Sequence, residues 1–119
     1  MGPIYVVNPK NLVIGDNTII NYGVFLNCLD MVYIGNNCQI SPFVQLHTSK
    51  LSVSIPRKHI KKSIIIKKNV WISSGSIISL GTIINENSII GANSVVINNV
   101  NSDSFYAGNP ARLIKKLSS

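Results

Sequence analysis

The chain has 119 residues, which is enough for one domain with a sizeable core, and its net charge is +7. The hydrophobic fraction is 45% and the charged fraction only 13%, a balance more typical of a solenoid with Asn, Ser and Gly turns than of a compact globule. Nucleic acid is excluded as the expected partner, because no helix-turn-helix pattern, zinc-finger spacing or aromatic platform accompanies the basic charge. No apolar stretch reaches the roughly eighteen residues that a membrane span requires.

The N-terminal third begins with an apolar run, residues 4–7, and an Asn-Pro turn, which together predict a first strand of an incomplete coil. From Ile14 an aliphatic residue recurs every six positions, but Leu26 and Ile34 are eight apart. The two extra residues predict a bulge around residues 28–32. Cys38 occupies a small-residue position of the repeat, so we expect it to be buried.

The strictest repeat lies in residues 64–100. Its aliphatic positions, each six residues from the next, are Ile66, Ile72, Ile78, Ile84, Ile90 and Val96. Four residues after each of them stands a small or β-branched residue: Val70, Ser76, Thr82, Ser88, Ser94 and Val100. A six-residue period matches neither an α-helix nor a simple alternating strand, and it is typical of a parallel β-helix whose aliphatic residues fill a three-sided interior. The frequent Asn residues suit its tight corners, because Asn tolerates left-handed backbone conformations.

Two segments depart from the repeat. Leu46 and Ile66 are twenty residues apart, which predicts a protruding loop at about residues 47–63 that contains both histidines and Pro56. Residues 101–119 form a C-terminal tail, in which Pro110 is well placed to begin a short helix. The expected organisation is a single β-helix domain over residues 1–119. Two cysteines imply no disulfide framework and no signal peptide is visible, so we expect a cytoplasmic protein.

Three pieces of the sequence resemble the hexapeptide-repeat acetyltransferases, in particular the branch of maltose- and galactoside-type sugar O-acetyltransferases. They are VWI at residues 70–72, IGANSVV at residues 90–96 and AGNPAR at residues 107–112. The resemblance covers nearly the whole chain from residue 12. It implies a left-handed parallel β-helix, a homotrimer with active sites between neighbouring rods, and transfer of acetyl from acetyl-CoA to a hydroxyl of a sugar or glycan.

The resemblance also implies roles for individual residues. Asn21 matches an acceptor-contacting asparagine, and Asp30 lies one position from an acceptor-contacting aspartate. The positions that match the acetyl-CoA site are Ser74, Ala92, Asn98, Arg112 and Lys115. No metal is required by this chemistry, and two histidines are too few for a three-histidine zinc site within one chain.

The family's general base is a histidine of the protruding loop, and two alignments place it differently. Reading forward from residues 44–46 puts it at Leu51, whereas reading backward from Ile66 puts it at His47. His47 follows an inward Leu46, so its side chain is expected to point outward. His59, in the basic part of the loop, is the second candidate for the base or for binding phosphate.

Two alternatives to a sugar O-acetyltransferase remain open at this stage. A chain without a usable base would be an inactive β-helix scaffold of the same family. An amino sugar in place of a hydroxyl acceptor would make the protein an N-acetyltransferase of the same family. Trp71, predicted on the outside of the coil, favours contact with a neighbouring subunit in either case.

Overall fold

The structure, a computed structural model, describes residues 3–118. These residues form one 3₁₀ turn, Pro9–Asn11, and seventeen short strands. In chain order the strands are β1 Tyr5–Val7, β2 Leu12–Ile14, β3 Ile19–Ile20, β4 Phe25–Asn27, β5 Val32–Ile34, β6 Gln39–Ile40, β7 Gln45–His47, β8 Ser49–Leu51, β9 His59–Lys61, β10 Ile64–Ile66, β11 Trp71–Ile72, β12 Ile77–Ser79, β13 Ile83–Ile84, β14 Ile89–Ile90, β15 Val95–Val96, β16 Ser104–Gly108 and β17 Ala111–Lys116.

Fifteen of the strands build the three faces of a left-handed parallel β-helix with about five coils. Face A has the order β1-β4-β7-β12-β15, face B has β2-β5-β10-β13, and face C has β3-β6-β11-β14-β16, with β17 added at its end. We name the corners by the faces they join: the chain passes from face A to B at the A/B edge, from B to C at the B/C edge, and from C to A at the C/A edge.

The predicted aliphatic positions stack in columns inside the rod. Ile72 pairs with Ile90 on face C, and Ile78 pairs with Val96 on face A, each one coil of eighteen residues later. All these side chains are at most 1% exposed. Full burial of an aliphatic side chain of this size contributes roughly 1.5–3 kcal/mol, so the columns form the core of the fold. The predicted hexad repeat is therefore confirmed.

The small-residue positions line the inner corners and are also buried, as predicted. Most of the hydroxyls there donate to a backbone carbonyl, as Ser76 Oγ does to Gly91 O at 2.8 Å and Ser88 Oγ to Asn101 O at 2.6 Å. Cys38 is buried as expected, and burial raises the pKa of its thiol. Within the described chain, Thr82 Oγ1 is the one buried side-chain oxygen or nitrogen without a hydrogen-bond partner.

The corners use the left-handed backbone that the Asn content predicted. At the B/C edge Asn17, Asn37, Asn69 and Asn87 have φ between 57° and 64°. Successive coils are joined there by side-chain bonds as well, since Asn69 Nδ2 donates to Asn87 Oδ1 at 3.1 Å. Asn87 Nδ2 in turn donates to Asp103 Oδ1 at 2.9 Å, so these side-chain bonds continue along the rod axis.

The first coil is less buried than the rest. Ile14 is 42% exposed, because β1, β2 and β3 each have a neighbouring strand on one side only. The 3₁₀ turn Pro9–Asn11 precedes residue 13, where no helical segment was predicted, but it buries none of its residues. The first two residues and Ser119, which the predicted domain includes, lie outside the described residues.

The predicted bulge between Leu26 and Ile34 is only partly external. Cys28 and Val32, at its ends, are fully buried, while Leu29 is exposed. The extra length therefore widens the A/B edge without interrupting the interior.

The predicted C-terminal helix is wrong. Residues 111–116 form β17, which pairs antiparallel with β16 through a turn at Asn109 and Pro110. Strand β16 ends the parallel ladder of face C, so its outer backbone groups need hydrogen-bond partners. The tail supplies them, and this pairing outweighs the helical propensity of a sequence with Ala, Arg, Leu and Lys.

The protruding segment is also more regular than predicted. Instead of an irregular loop over residues 47–63, β8 and β9 form an antiparallel hairpin, and His47 itself belongs to β7. Pro56 lies at the tip, outside both strands, so it does not interfere with their pairing.

We expect Thr82→Val to stabilise the rod by about 1 kcal/mol, because it removes a buried hydroxyl that has no partner. The matched control is Thr48→Val, at another buried corner. Thr48 Oγ1 donates to Asn27 O at 2.7 Å and accepts from Asp30 N at 3.0 Å. The control should lose about 1–3 kcal/mol. Chemical denaturation of both variants measures the difference, and destabilisation by Thr82→Val would contradict this account.

Candidate active site

The hairpin formed by β8 and β9 stands on the A/B edge directly after His47. Its cross-strand pairs are Ser49 with Lys61, Lys50 with Ile60 and Leu51 with His59. Its base is tied to the rod, because Lys62 N donates to Thr48 O at 2.9 Å. The hairpin therefore has a fixed position beside the outer surface of face A.

His47 lies on the outer surface of face A. It follows the fully buried Leu46, and side chains alternate along a strand, so its ring points outward as expected. In the ladder its neighbours are Asn27 in the coil before and Ser79 in the coil after. The ring is half-buried and packs near Phe25, with the two ring centroids 5.5 Å apart.

Gln45 lies two residues before His47 and shares its outward face. The distance between His47 Nε2 and Gln45 Oε1 is 2.8 Å, which is a hydrogen bond. When Nε2 donates this bond, Nδ1 carries the lone pair and is the nitrogen that can accept a proton. Partial burial disfavours the imidazolium, so the pKa of His47 is lowered from its ordinary value. The arrangement favours a neutral imidazole whose orientation is set by Gln45.

His59 lies on a different surface. It is exposed and sits opposite Leu51 in the hairpin. The neighbouring pair, Lys50 and Ile60, lines a cleft between the hairpin and the A/B edge. Successive pairs of a hairpin point to opposite sides. His59 therefore points away from the cleft, and the two predicted histidines do not share one site in this chain.

A cleft of about 440 Å³ lies between the hairpin and the A/B edge. It combines two cationic side chains, one hydroxyl and three aliphatic groups. The residues that line it are Lys50, Ile60, Lys62, Ser79, Leu80 and Ile97. His47 does not line the cleft itself, but its ladder partner Ser79 does, so the cleft lies next to the candidate base on face A.

The residues matched to the acetyl-CoA site divide between two edges of face A and the terminal strand β17 of face C. Ser74 and Ala92 lie in stacked turns at the C/A edge, where Asn93 N donates to Ser74 O at 2.9 Å. Asn98 follows β15 at the A/B edge, on the cleft side. Arg112 and Lys115 are exposed on β17, so the five residues do not converge within one chain.

The two residues matched to acceptor contacts also lie on different edges. Asn21 is at the C/A edge, where its Nδ2 donates to Ile40 O at 3.0 Å. Asp30 is at the A/B edge, and its Oδ1 accepts from Met31 N at 2.7 Å. Each side chain therefore uses one polar atom to hold its own corner of the rod.

Sequence reasoning missed Gln45 and all six residues that line the cleft as site residues. For Gln45 a signal was available, because a residue two positions before an outward strand residue shares its face. The cleft residues come from three separate coils, and only the fold brings them together.

Among residues 3–118, no group of three His, Cys, Asp or Glu residues is placed to hold a metal ion. In the same part of the chain, no helix has the length and apolar character needed to cross a bilayer.

Several solved structures are similar to this chain over almost its full length. A hexapeptide-repeat acetyltransferase from Vibrio cholerae O1 biovar eltor, complexed with acetyl coenzyme A, has a TM-score of 0.96 and 33% identity over 98% of this chain and 66% of that chain. Another structure of the Vibrio protein has 32% identity over 100% of this chain and 70% of that chain, with a TM-score of 0.96.

Two sugar acetyltransferases are similar as well. A maltose O-acetyltransferase from Clostridium difficile 630 has a TM-score of 0.95 and 30% identity, over 98% of this chain and 65% of that chain. A galactoside acetyltransferase in complex with coenzyme A has a TM-score of 0.93 and 28% identity, over 99% of this chain and 62% of that chain. Neither the profiles of known families nor the sequences of curated proteins give a match.

These similarities show that the chain belongs to the hexapeptide-repeat acetyltransferase family. The chain spans about two thirds of the length of these solved relatives.

We expect an NMR titration of His47 to give a pKa below the ordinary value of about 6.5, because burial disfavours the cation. The neutral imidazole then predominates at pH 7. The ring ¹⁵N shifts should identify Nε2 as the protonated nitrogen in this form, since Gln45 Oε1 is an acceptor. A Gln45→Ala variant, which lacks the acceptor, is the comparison. A pKa above 6.5, or a proton on Nδ1, would be inconsistent with this geometry.

Proposed function

We propose that the chain is an acyltransferase that uses acetyl-CoA as acyl donor and transfers the acetyl group to a hydroxyl of a sugar or glycan. The observation that carries the proposal is family membership together with an oriented, neutral His47 beside a cleft. Relatives crystallised with acetyl coenzyme A and coenzyme A support the donor. Relatives described as maltose and galactoside acetyltransferases support the sugar acceptor.

In the proposed reaction His47 acts as general base through Nδ1. It takes the proton of the acceptor hydroxyl while the oxygen attacks the thioester carbonyl. The tetrahedral intermediate collapses, the carbon–sulfur bond breaks, and the leaving thiolate takes the proton back from the imidazolium. The products are the acetyl ester and free coenzyme A. The lowered pKa of His47 keeps the base unprotonated at neutral pH.

The donor site is proposed to use both edges of face A. Ser74 and Ala92 at the C/A edge and Asn98 at the A/B edge would line the groove for the pantetheine arm. Arg112 and Lys115 are exposed cations suited to the phosphates of coenzyme A. Asn21 and Asp30 keep one oxygen each, Oδ1 and Oδ2, that the corner hydrogen bonds described above do not use.

A homotrimer is proposed because it would complete this site. In a closed ring of three rods, the A/B edge of one subunit would face the C/A edge of the next, which unites residues that are separate in one chain. Trp71 supports such a contact: it is 47% exposed on face C, and its Nε1 donates to Ser41 Oγ at 3.1 Å.

We also propose a cytoplasmic location, which suits the two free, buried cysteines.

The inactive scaffold remains the second candidate function. Leu51 supports it, since one alignment of the family places the base there and Leu51 carries no titratable group. An amino-sugar acceptor remains the third. A panel of hydroxyl and amino sugars with acetyl-CoA, followed by thiol release, separates the three.

We expect His47→Asn to lower kcat for acetyl transfer by roughly 100- to 10,000-fold, the contribution typical of a positioned general base. Thiol release from acetyl-CoA measures the effect. His59→Asn is the matched control and should retain activity within about threefold. Full activity of the His47 variant would remove His47 from its proposed role, and a large loss in the His59 variant instead would move the base to the hairpin.

We expect light scattering of the intact chain to give a mass near three times 13.0 kDa. Trp71→Ser should shift the mass toward that of a single chain, because it removes an exposed apolar group from the proposed interface. Val13→Ser, which changes an exposed apolar residue of similar exposure on face B, is the control. A monomer at all concentrations would end the trimer proposal.

A further inference from the structure

The cleft beside His47 is positively charged, and nothing in the proposed mechanism requires that charge. Lys50 and Lys62 contribute its two ammonium groups, and no acidic residue lines it. The whole segment from residue 31 to residue 85 contains no Asp or Glu, whereas the hairpin region 47–63 contains five of the eleven Lys and Arg residues. No residue that lines the cleft therefore offsets its two positive charges.

Lys62 is held at the cleft by its surroundings. Its backbone N donates to Thr48 O at 2.9 Å, next to His47. Its side chain lies across Gly81, since a Cβ on Gly81 would come within 3.2 Å of Lys62 Cδ. The backbone of Gly81, with φ of 78°, in turn donates to Ser63 O at 2.9 Å. Glycine therefore provides the space along which the lysine stem reaches the cleft.

Asp30, the acid closest to the hairpin along the A/B edge, does not line the cleft. It precedes the hairpin by one coil, whereas the lining residues Ser79, Leu80 and Ile97 come from the two coils after it. Its Oδ1 is engaged by Met31 N. Because no carboxylate lines the cleft beside them, the two lysines are available to an anionic ligand.

We propose that the cleft binds the negatively charged group of an acidic acceptor, a sugar that carries a carboxylate or a phosphate. The inference rests on the proposed function, because it assigns the substrate class of the same site. Both an acidic acceptor and the phosphates of coenzyme A could satisfy two lysines. The acceptor is favoured because the cleft adjoins the base, whereas the phosphates of coenzyme A are separated from its sulfur by the whole pantetheine arm.

The composition of the cleft fits such a ligand. Two ammonium groups can each donate to a carboxylate or phosphate oxygen, and charge-assisted bonds of this kind are stronger than neutral ones. Ser79 offers a hydroxyl for a sugar hydroxyl. Ile60, Leu80 and Ile97 provide an apolar wall for the C–H face of the ring. The volume of about 440 Å³ is within the range of small-molecule sites.

The experiment compares matched acceptors with the full chain and acetyl-CoA: glucose with glucuronate, galactose with galacturonate, and glucose with glucose 6-phosphate. We expect kcat/KM for the acidic member of at least one pair to exceed that for its neutral partner by about tenfold or more. Lys62→Met and Lys50→Met should each remove most of this preference for the acidic acceptor. The KM for acetyl-CoA should stay constant.

Lys68→Met is the control, because Lys68 is an exposed lysine at the B/C edge and its loss changes the net charge equally. It should leave the preference intact. Equal use of acidic and neutral acceptors would overturn the inference while leaving the proposed function standing. A raised KM for acetyl-CoA in the Lys62 or Lys50 variant would overturn it too, by assigning the lysines to the donor.

A binding titration separates failure of the inference from failure of the proposed function. Glucuronate should bind the intact chain, bind about tenfold more weakly to Lys62→Met, and bind normally to Lys68→Met. If glucuronate binds in this way but no acceptor is acetylated, the proposed function fails and the cleft assignment stands. If glucuronate and glucose 6-phosphate do not bind at all, the cleft assignment fails.

Discussion

The contact on which the whole molecule depends is the stacking of one aliphatic side chain on its equivalent in the next coil. Parallel strands about 4.8 Å apart bring such side chains into van der Waals contact only if the strands of every coil stay in register, whatever the length of the corners between them. The regular coil is eighteen residues long, as the pairs Ile72 with Ile90 and Ile78 with Val96 show. Ile40 and Ile72 still pair although they are thirty-two residues apart, because the additional residues lie at an edge. Because each coil is buried only by its neighbours, an insertion inside a face would expose the interior, whereas one at an edge does not.

This constraint also fixes the outer surface, where the candidate site lies. Since Leu46 must point inward, His47 must point outward, and the ladder then places it between Asn27 and Ser79. The rod thus acts as a rigid support for outward side chains. Two segments do not follow the six-residue repeat, the hairpin and the C-terminal strand pair. The first lies at an edge of the rod and the second at its end.

The sequence was sufficient to predict the parts of the fold that obey the repeat. The six-residue period predicts the buried columns, the Asn corners and the outward position of His47. The hairpin and β17 could not be derived in this way, because their pairing is antiparallel and lies outside the period. Pro110 illustrates the difficulty: before a run of good helix formers it suits a helix start, yet it equally suits the turn that returns β17 to the open edge of β16.

The candidate site was harder to predict than the fold for the same reason. His47 and His59 were named from residue chemistry, but only the hairpin register shows that His59 faces the other way. Lys50, Ser79 and Ile97 are distant in sequence and become neighbours at one edge. The resemblance located Ser74, Ala92 and Asn98 along the chain, yet it did not reveal that they occupy two different edges of one rod.

The hairpin insertion between Leu46 and Ile66 marks an edge at which the rod accepts additional residues without loss of register. The strands on either side of it, β7 and β10, keep their places in faces A and B despite twenty residues where the repeat uses six. Lengthening an already closed loop costs little, about 0.6 kcal/mol for each doubling. The coils on either side of the hairpin therefore depend little on its length, so the charge and shape of this part of the surface are set separately from the core of the rod.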